Sequence, residues 1–456
     1  MLKTNTEWLA PEIMDVVRLF DCEGEDFTHY FYFDGGKYIN CIEYMGEITD
    51  FCYTAQTHDD VEYKRYAKRS AKLAFYELLN KTTGASFPYG ALTGIRPTKL
   101  AYMEEGEGRN FRDLFAAMHV SARNTHFVGE VMEVQRPYYA SKGGQELFIS
   151  LPFCPTKCAY CSFITAPISA TKQYVDAYIS CVEREIASLK PILKRVNSVY
   201  IGGGTPFVLE VDQLARIYAA IRALNLPRCE YTVEAGRPDV FTEEKLRLSK
   251  DFGVNRICVN PQSFSDATLQ KIGRRHTAAQ TFEAYEMAKK YGFDINIDLI
   301  AGLEGESVAD FEHSLKCAIG LNPANITVHT LSLKAGAKLK EETRRLHVEG
   351  IGNMIALSRG MLAQAGYRPY YMYRQKYQAG GHENCGWALP GKECVYNIGV
   401  MEEISDNIAV GANAISKRLF ADENRIERLA SPKDIPTYIS KCDKIISDRL
   451  ALFGGE

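Results

Sequence analysis

Several features are missing from this 456-residue chain, and each absence narrows what it does. No apolar run reaches the length of a bilayer span, so no membrane-crossing helix is expected. The opening stretch Met1-Leu2-Lys3-Thr4-Asn5-Thr6-Glu7 has no signal-peptide apolar core, which points to a cytoplasmic protein. The formal net charge is only −3, too small for a global field that would gather nucleic acid or an anionic membrane, and no nucleic-acid partner is expected. Internal repeats and low-complexity tracts are absent. What remains is an ordinary globular composition, 46% hydrophobic, in a chain long enough for two or three domains and a large core.

Cysteine, by contrast, is abundant at thirteen residues. Ten of them (Cys22, Cys41, Cys52, Cys181, Cys229, Cys258, Cys317, Cys385, Cys394 and Cys442) are scattered without ligand spacing and read as free thiols of a reducing compartment. The other three stand together in Leu151-Pro152-Phe153-Cys154-Pro155-Thr156-Lys157-Cys158-Ala159-Tyr160-Cys161, a C-x3-C-x2-C spacing. The apolar run Leu147–Leu151 leads into them as a buried strand, so the thiols sit on the loop that leaves a strand end. A structural zinc site wants four ligands, usually as two close pairs, and no second pair stands nearby. Three thiolates on one compact loop instead suit three irons of a [4Fe–4S] cube, with the fourth iron left open for an exchangeable ligand.

Beyond this loop, strand-like apolar runs recur at 198–201, 230–235, 256–260, 294–300 and 326–333, separated by amphipathic helical stretches such as 172–189, 211–224 and 308–319. Strand–helix alternation implies parallel strands joined by right-handed crossovers. With Leu147–Leu151 this makes a partial (β/α)6 TIM-like barrel, an α/β fold whose functional groups gather at the C-terminal ends of the strands. The candidate residues fall at those ends. They are Gly202-Gly203-Gly204-Thr205 after the second strand, Glu234 after the third, Gln262 and then Arg274 after the fourth, and Asp298 within the fifth. Arg274 suits a bidentate carboxylate contact, and a charge in a run as apolar as Ile295-Asn296-Ile297-Asp298-Leu299-Ile300 demands a partner, for which a ribose diol is suitable.

The flanking regions carry weaker signals. Residues 1–140 read as an accessory α+β domain. Residues 1–20 give a strand or short helix, and 28–55 give β-structure turning at Asp34-Gly35-Gly36 and Gly46. Helices are expected over 59–80, 110–118 and 122–135. The first of these carries Lys64, Arg65, Lys68, Arg69 and Lys72, a basic face that most often is only solvated. The barrel core is expected over 141–335, and a mostly helical, substrate-covering extension over 336–456 with closing helices over 424–452. Within that extension Tyr370-Tyr371-Met372-Tyr373-Arg374-Gln375-Lys376-Tyr377-Gln378 is dense in aromatics and cations, as a packed strand edge is, and the family resemblance given below makes a face for a tetrapyrrole with propionates an equal reading. Arg374 is the candidate for substrate carboxylates, and a nearby lone His382 is more often structural than functional.

The C-x3-C-x-Tyr-C loop after a strand resembles that of the radical S-adenosylmethionine (SAM) superfamily. Gly253-Val254-Asn255-Arg256, Pro261-Gln262-Ser263-Phe264, Gly273-Arg274-Arg275-His276-Thr277 and Asn296-Ile297-Asp298-Leu299-Ile300-Ala301-Gly302-Leu303 are similar to the oxygen-independent coproporphyrinogen III dehydrogenases. The 92–100 and 370–378 stretches and Tyr396-Asn397-Ile398-Gly399-Val400-Met401-Glu402-Glu403 resemble the HemZ branch in particular. The resemblance implies a [4Fe–4S] cluster on Cys154, Cys158 and Cys161, and SAM, two molecules in characterised relatives, contacted by Phe148, Tyr160, Gly202, Gly203, Gly204, Thr205, Glu234, Gln262, Arg274, Asp298, Ser332 and Ile415. It also implies a 5′-deoxyadenosyl radical that removes hydrogen from a propionate β-carbon of coproporphyrinogen III, giving protoporphyrinogen IX with loss of CO2. An electron donor of the reduced flavodoxin or ferredoxin type, an unidentified acceptor and a monomeric state go with it. Ser162-Phe163 stands where the best-known branch has a further Cys, which bears on the substrate and not on the cluster. Relatives acting as haem chaperones carry H-N-x-x-Tyr-Trp where this chain reads Tyr396-Asn397-Ile398-Gly399-Val400-Met401, with no His. The alternatives are another tetrapyrrole-directed radical SAM enzyme, a methyltransferase or a haem-degrading enzyme, and a haem-binding chaperone.

Overall fold

The computed structural model of the chain describes residues 1–94, 96–161, 166–332, 348–375, 378–420 and 425–454; Ser162, Phe163, Leu333, Lys376 and Tyr377 lie outside the described residues. The chain forms two units, Met1–Gly129 with Arg374–His382, and Glu130–Tyr373 with Glu383–Glu456. The boundaries expected at 140 and 335 differ from these. The first falls at the C-terminal end of the helix Ala122–Ala140, whereas the units divide within that helix, after Gly129, and the second cuts through a stretch, Glu130–Tyr373, that belongs to one unit.

The first unit is α+β, as expected. Strands β1 (Leu2–Thr4), β2 (Phe27–Asp34), β3 (Lys37–Tyr44) and β4 (Glu47–Thr54) lie in sequence order, β1 parallel to β2 and the rest antiparallel. Gly35-Gly36 and Met45-Gly46 all have positive φ, the conformation of the two-residue turns whose twist matches that of the strands they join. The helix Asp60–Thr83 starts where the Asp59 side chain accepts from the Glu62 amide (2.7 Å) and stops at Gly84 in the left-handed region. Its basic face is paired within the unit: Arg65 meets Glu107 (3.1 Å), Lys68 and Lys72 meet Glu12, and Arg69 meets Glu104 (2.9 Å). These cations serve the unit's own packing.

The second unit holds the barrel. Strand β5 (Gln145–Leu151) runs into the short pair β6 (Phe153–Cys154) and β7 (Ala166–Pro167); β8 (Val196–Gly203), β9 (Glu230–Gly236), β10 (Arg256–Gln262), β11 (Asp294–Ala301) and β12 (Asn325–Thr330) follow. β5, β8, β9, β10, β11 and β12 are neighbours in that order and all parallel, which is the expected (β/α)6 arrangement. Helices such as Val175–Ser188, Val211–Arg222 and Val308–Leu321 cover the outer face, so both faces of the strands are screened and β10 is buried along its whole length.

The region after 336 holds the helices expected of the extension, Val348–Gln364, Val395–Glu402, Ile435–Ser440 and Cys442–Gly454, together with strands that the expectation did not include. It supplies β13 (Arg368–Tyr373), β14 (Asn384–Ala388), β15 (Asp406–Val410), β16 (Ile415–Phe420) and β17 (Arg425–Ala430) to the same sheet. β14 pairs antiparallel with β12, and β15 pairs parallel with β5, so both edges of the six-stranded core are hydrogen-bonded to the C-terminal chain. An uncovered edge strand is a template for unwanted pairing, and this arrangement moves the sheet's edges away from the core strands, out to β13 and β17. β17 likewise occupies part of the stretch expected to be closing helix, with helices Ile435–Ser440 and Cys442–Gly454 after it. Among the described residues no helix is long and apolar enough to cross a membrane.

The last helix is held by a buried ion pair. The Arg449 guanidinium (1% exposed) meets the carboxylate of Glu185 (0%), which also accepts from the Tyr438 hydroxyl and, at 3.3 Å, from the Gly411 amide. Removing one partner of such a pair leaves a charge without compensation in a low-dielectric interior, at about 3–5 kcal/mol. Arg449→Met is therefore expected to lower the denaturant midpoint strongly. The double variant Glu185→Leu with Arg449→Met is expected to recover much of the loss, and equal loss in the single and double variants would refute this account.

Candidate functional site

The three cysteines of the C-x3-C-x2-C loop lie at the C-terminal end of β5, partly exposed and unbridged. Backbone hydrogen bonds fix the loop on both sides. Toward β8, Gly204 donates to the Leu151 carbonyl (2.7 Å) and Thr205 to that of Phe153 (2.7 Å). Toward the segment after β10, Ala159 donates to Ile272 O (3.0 Å) and the Thr156 hydroxyl to Gly273 O (3.3 Å). A Cβ on Gly204 would collide with the Phe153 carbonyl and come within 2.8 Å of that of Leu151, so this position accepts only glycine. Burial pushes the Cys154 thiol up to about 11, and the nearby Cys161 and Cys158 sulfurs add to the shift. The three sulfurs thus act on one another electrostatically, as the ligands of a shared cluster must. Among the described residues no three Cys, His, Asp or Glu side chains are gathered for one metal ion. The requirement for a cube is different, since each thiolate binds a separate iron.

The strand ends beside the loop carry polar groups whose partners are incomplete. Asn260 Oδ1, Gln262 Oε1 and Ser332 Oγ are buried with no hydrogen-bond partner among the described residues, and Gln262 sits in the left-handed region (φ 72) that a non-glycine residue seldom adopts. Glu234 ends β9 facing Asp298 on β11. Burial, reinforced by the Asp298 charge, pushes its carboxyl up to about 8 although the Gly203 amide donates to it. An ideal Cβ on Gly202 would lie 2.6 Å from Glu234 Oε2, so the absence of a side chain there keeps the carboxylate's surroundings clear. Orphaned acceptors, a carboxyl starved of a cation and a bare glycine ribbon fit a zwitterionic ligand such as SAM, and the three thiols fit a cluster.

Other expected contacts are placed with more surprises. The Tyr160 ring packs on the Leu269, Ile272, Ile300, Leu303 and Leu331 cluster, and its hydroxyl accepts from Arg274 (3.0 and 3.3 Å). The Arg274 guanidinium also donates to the Asn260 carbonyl and is 8% exposed, so protein groups hold it in place before any carboxylate arrives. Phe148 lies midway along β5 in an aromatic layer with Tyr200 and Tyr396; Tyr396 stacks on Tyr200 at 4.3 Å and on Phe148 at 6.0 Å between ring centroids. Ile415 opens β16 and is 46% exposed; the Gly411–Ala414 segment before it is docked at the end of β5 by Ser150 Oγ donating to Ala412 O (2.8 Å) and Ala412 N donating to the Tyr178 hydroxyl (2.9 Å).

Arg374 corrects an expectation. It belongs to the first unit, is 6% exposed, and donates to the Gly381 carbonyl (2.8 and 3.1 Å) and to that of Leu92 while covering the Tyr89 ring at 4.4 Å. It is a structural clamp whose guanidinium is committed to backbone carbonyls. The reading from sequence also missed His329, at the end of β12. Its Nε2 is 3.7 Å from Asp298 Oδ2, and its Nδ1 is 3.3 Å from the Tyr373 hydroxyl. The signal for it was present in Asn325, Thr327 and His329, polar residues two apart in an apolar strand and therefore on one face.

A Radical SAM superfamily model matches residues 148–318, the span from β5 into the helix before β12. The chain is 34% identical over 406 residues to the oxygen-independent coproporphyrinogen-III oxidase-like protein HemZ of Bacillus subtilis (strain 168), covering 85% of this chain and 81% of that one. It is 32% identical over 275 residues to the heme chaperone HemW of Lactococcus lactis subsp. lactis (strain IL1403), covering 59% of this chain and 68% of that one. Among solved structures, the coproporphyrinogen III oxidase HemN from Escherichia coli, described as a radical SAM enzyme, superposes with a TM-score of 0.55 at 21% identity over 68% of this chain and 72% of that one, a likeness of fold.

The raised carboxyl of Glu234 has a measurable consequence in the ligand-free protein. Between its ordinary value of 4.5 and about 8 the folded chain keeps a proton that the unfolded chain releases, so this group's contribution to stability falls as pH rises through that window. Glu234→Gln is expected to gain stability relative to the parent progressively from pH 5 to pH 8, followed by urea unfolding. A difference that does not change with pH would contradict the burial argument.

Proposed function

The chain belongs to the radical SAM superfamily and, within it, to the HemZ-type oxygen-independent coproporphyrinogen-III oxidase-like family, and from that premise we propose that it decarboxylates coproporphyrinogen III oxidatively to protoporphyrinogen IX. The observation that carries the reading is the convergence, at one set of strand ends, of the three-thiol loop with the orphaned acceptors of Asn260, Gln262 and Ser332 and the cation-starved Glu234. Likeness to HemZ across 81% of its length, beyond the barrel alone, supports the choice of reaction.

When bound, the [4Fe–4S] cluster and SAM supply the one-electron cleavage that yields a radical able to take a hydrogen from the substrate's propionate side chain. The chain's own residues hold and orient. Cys154, Cys158 and Cys161 ligate the cluster. The Gly202-Gly203-Gly204 ribbon lets backbone approach SAM, Glu234 receives its ammonium, and Arg274, pre-set by Tyr160 and Asn260, receives its carboxylate. Asp298 takes the ribose hydroxyls with Gln262 and Ser332 beside it, and Phe148 and Ile415 complete the apolar contacts. His329 is held between Asp298 and Tyr373 at the neighbouring strand end. The radical route needs no general base, and the electrons come from a flavodoxin- or ferredoxin-type donor and leave to an external acceptor.

The likeness to HemW sustains a second reading, a haem chaperone without decarboxylase activity. Against it, the position where such chaperones carry a His is Tyr396, whose ring packs on both Tyr200 and Phe148 while Asn397 donates to the Tyr370 hydroxyl (3.0 Å). Anaerobic incubation of the reconstituted protein with SAM, reductant, an electron acceptor and coproporphyrinogen III, read by mass spectrometry, separates the two. Loss of two CO2 with 5′-deoxyadenosine formation is expected. Stable haem binding with the substrate untouched would favour the chaperone, and 5′-deoxyadenosine without decarboxylation would move the substrate to another tetrapyrrole.

A further inference from the structure

Thr205 is 4% exposed and its hydroxyl lies 3.5 Å from the sulfur of Cys154, within hydrogen-bond range for sulfur and with the oxygen as donor. Nothing in that placement is loose. The Thr205 amide is fixed on the Phe153 carbonyl at 2.7 Å, one residue before the cysteine, and its own carbonyl accepts from Val208 at 2.8 Å. The methyl faces Gly236, where an added Cβ would stand 3.2 Å from Cγ2, so a side chain larger than hydrogen at 236 would crowd it. A β-branched side chain has few χ1 choices. With backbone pinned on both sides and methyl packed, the hydroxyl is left pointing at Cys154.

We propose that Thr205 is a positioning residue for the cluster, its hydroxyl donating to the Cys154 thiolate and thereby raising the cluster's reduction potential. This rests on the reading that Cys154, Cys158 and Cys161 hold a [4Fe–4S] cluster, and it departs from the SAM contact that family resemblance implies for the same residue. Reduction adds negative charge that the thiolate sulfurs share. A donor aimed at one of them stabilises the reduced cluster more than the oxidised one and shifts the potential upward. The donor also explains a threonine at this point. Valine has the same shape and would fill the space beside Gly236 equally well, but it has nothing to donate.

The full-length parent, Thr205→Ser and Thr205→Val are reconstituted anaerobically with iron and sulfide. The midpoint potential of each cluster is then measured by electron paramagnetic resonance-monitored titration without SAM, with iron content and SAM affinity determined alongside. The expected result is a lower potential in Thr205→Val and a value close to the parent in Thr205→Ser. An unchanged potential in Thr205→Val overturns the proposal; if SAM affinity falls at the same time, Thr205 returns to the role of nucleotide contact. A Thr205→Val chain that holds no iron, beside a loaded parent and Thr205→Ser, overturns tuning in favour of assembly. A parent that itself assembles no cluster fails on the reading of the three cysteines, a different outcome from any of these.

Discussion

Two backbone hydrogen bonds, from Gly204 to Leu151 and from Thr205 to Phe153, join the ends of adjacent strands to the loop that carries the thiols. Everything at the site takes its position from that junction. β5 delivers the cysteines, β8 delivers the glycine ribbon, and the bonds between them make a single rigid surface from two segments fifty residues apart. On the far side of the loop, Ala159 and Thr156 bond to the carbonyls of Ile272 and Gly273, which places Arg274 next to the same surface. A loop with its backbone paired on both flanks loses little further freedom when a ligand arrives, and preorganisation of this kind lowers the entropic cost of binding.

The strand ends around this junction carry Glu234, Asp298, Asn260 and Gln262, polar groups that cost free energy in a folded chain unless a partner completes them. The site therefore trades stability for ligand binding, as strained or unpaired groups at functional positions commonly do. The outer structure compensates through ordinary means: parallel strands screened on both faces, sheet edges covered by β14 and β15, and a C-terminal helix locked through Arg449 and Glu185.

Much of this was legible in the sequence, for definable reasons. The six core strands are apolar runs of strand length separated by helical periodicity, and both signals come from local side-chain spacing, so their order and parallel direction follow directly. The cysteine loop and Gly202–Thr205 are contiguous motifs and equally readable. Strands β13 to β17 were harder. The pairing of β14 with β12 and of β15 with β5 is set by contacts far along the chain, and runs such as Arg425–Ala430 are exposed on most positions and lack a clear two-residue alternation. Arg374 misled because composition places a cation among tyrosines without saying where its donors point; the carbonyls of Leu92 and Gly381 that capture it belong to distant and adjoining stretches. His329 escaped notice because its partners, Asp298 and Tyr373, come from two other strands.

The aromatic layer gives the barrel a floor. Phe148, Tyr200 and Tyr396 stack across the interior two residues below the level of Ser150 and Gly202 and two above that of Glu146 and Ser198. Beneath it lies a cavity of about 310 Å³ lined by Glu146, Asn197, Arg228 and Ser405, where burial holds the Glu146 carboxyl up at about 7. The three rings, each partly exposed, form the boundary between that cavity and the strand ends above. Tyr396 contributes to that boundary with its ring face, and Asn397 and Tyr370 fasten the helix that carries it. A residue in such a position is a wall: for position 396 to reach outward to an iron, the stack would have to come apart and open the floor beneath the site it serves.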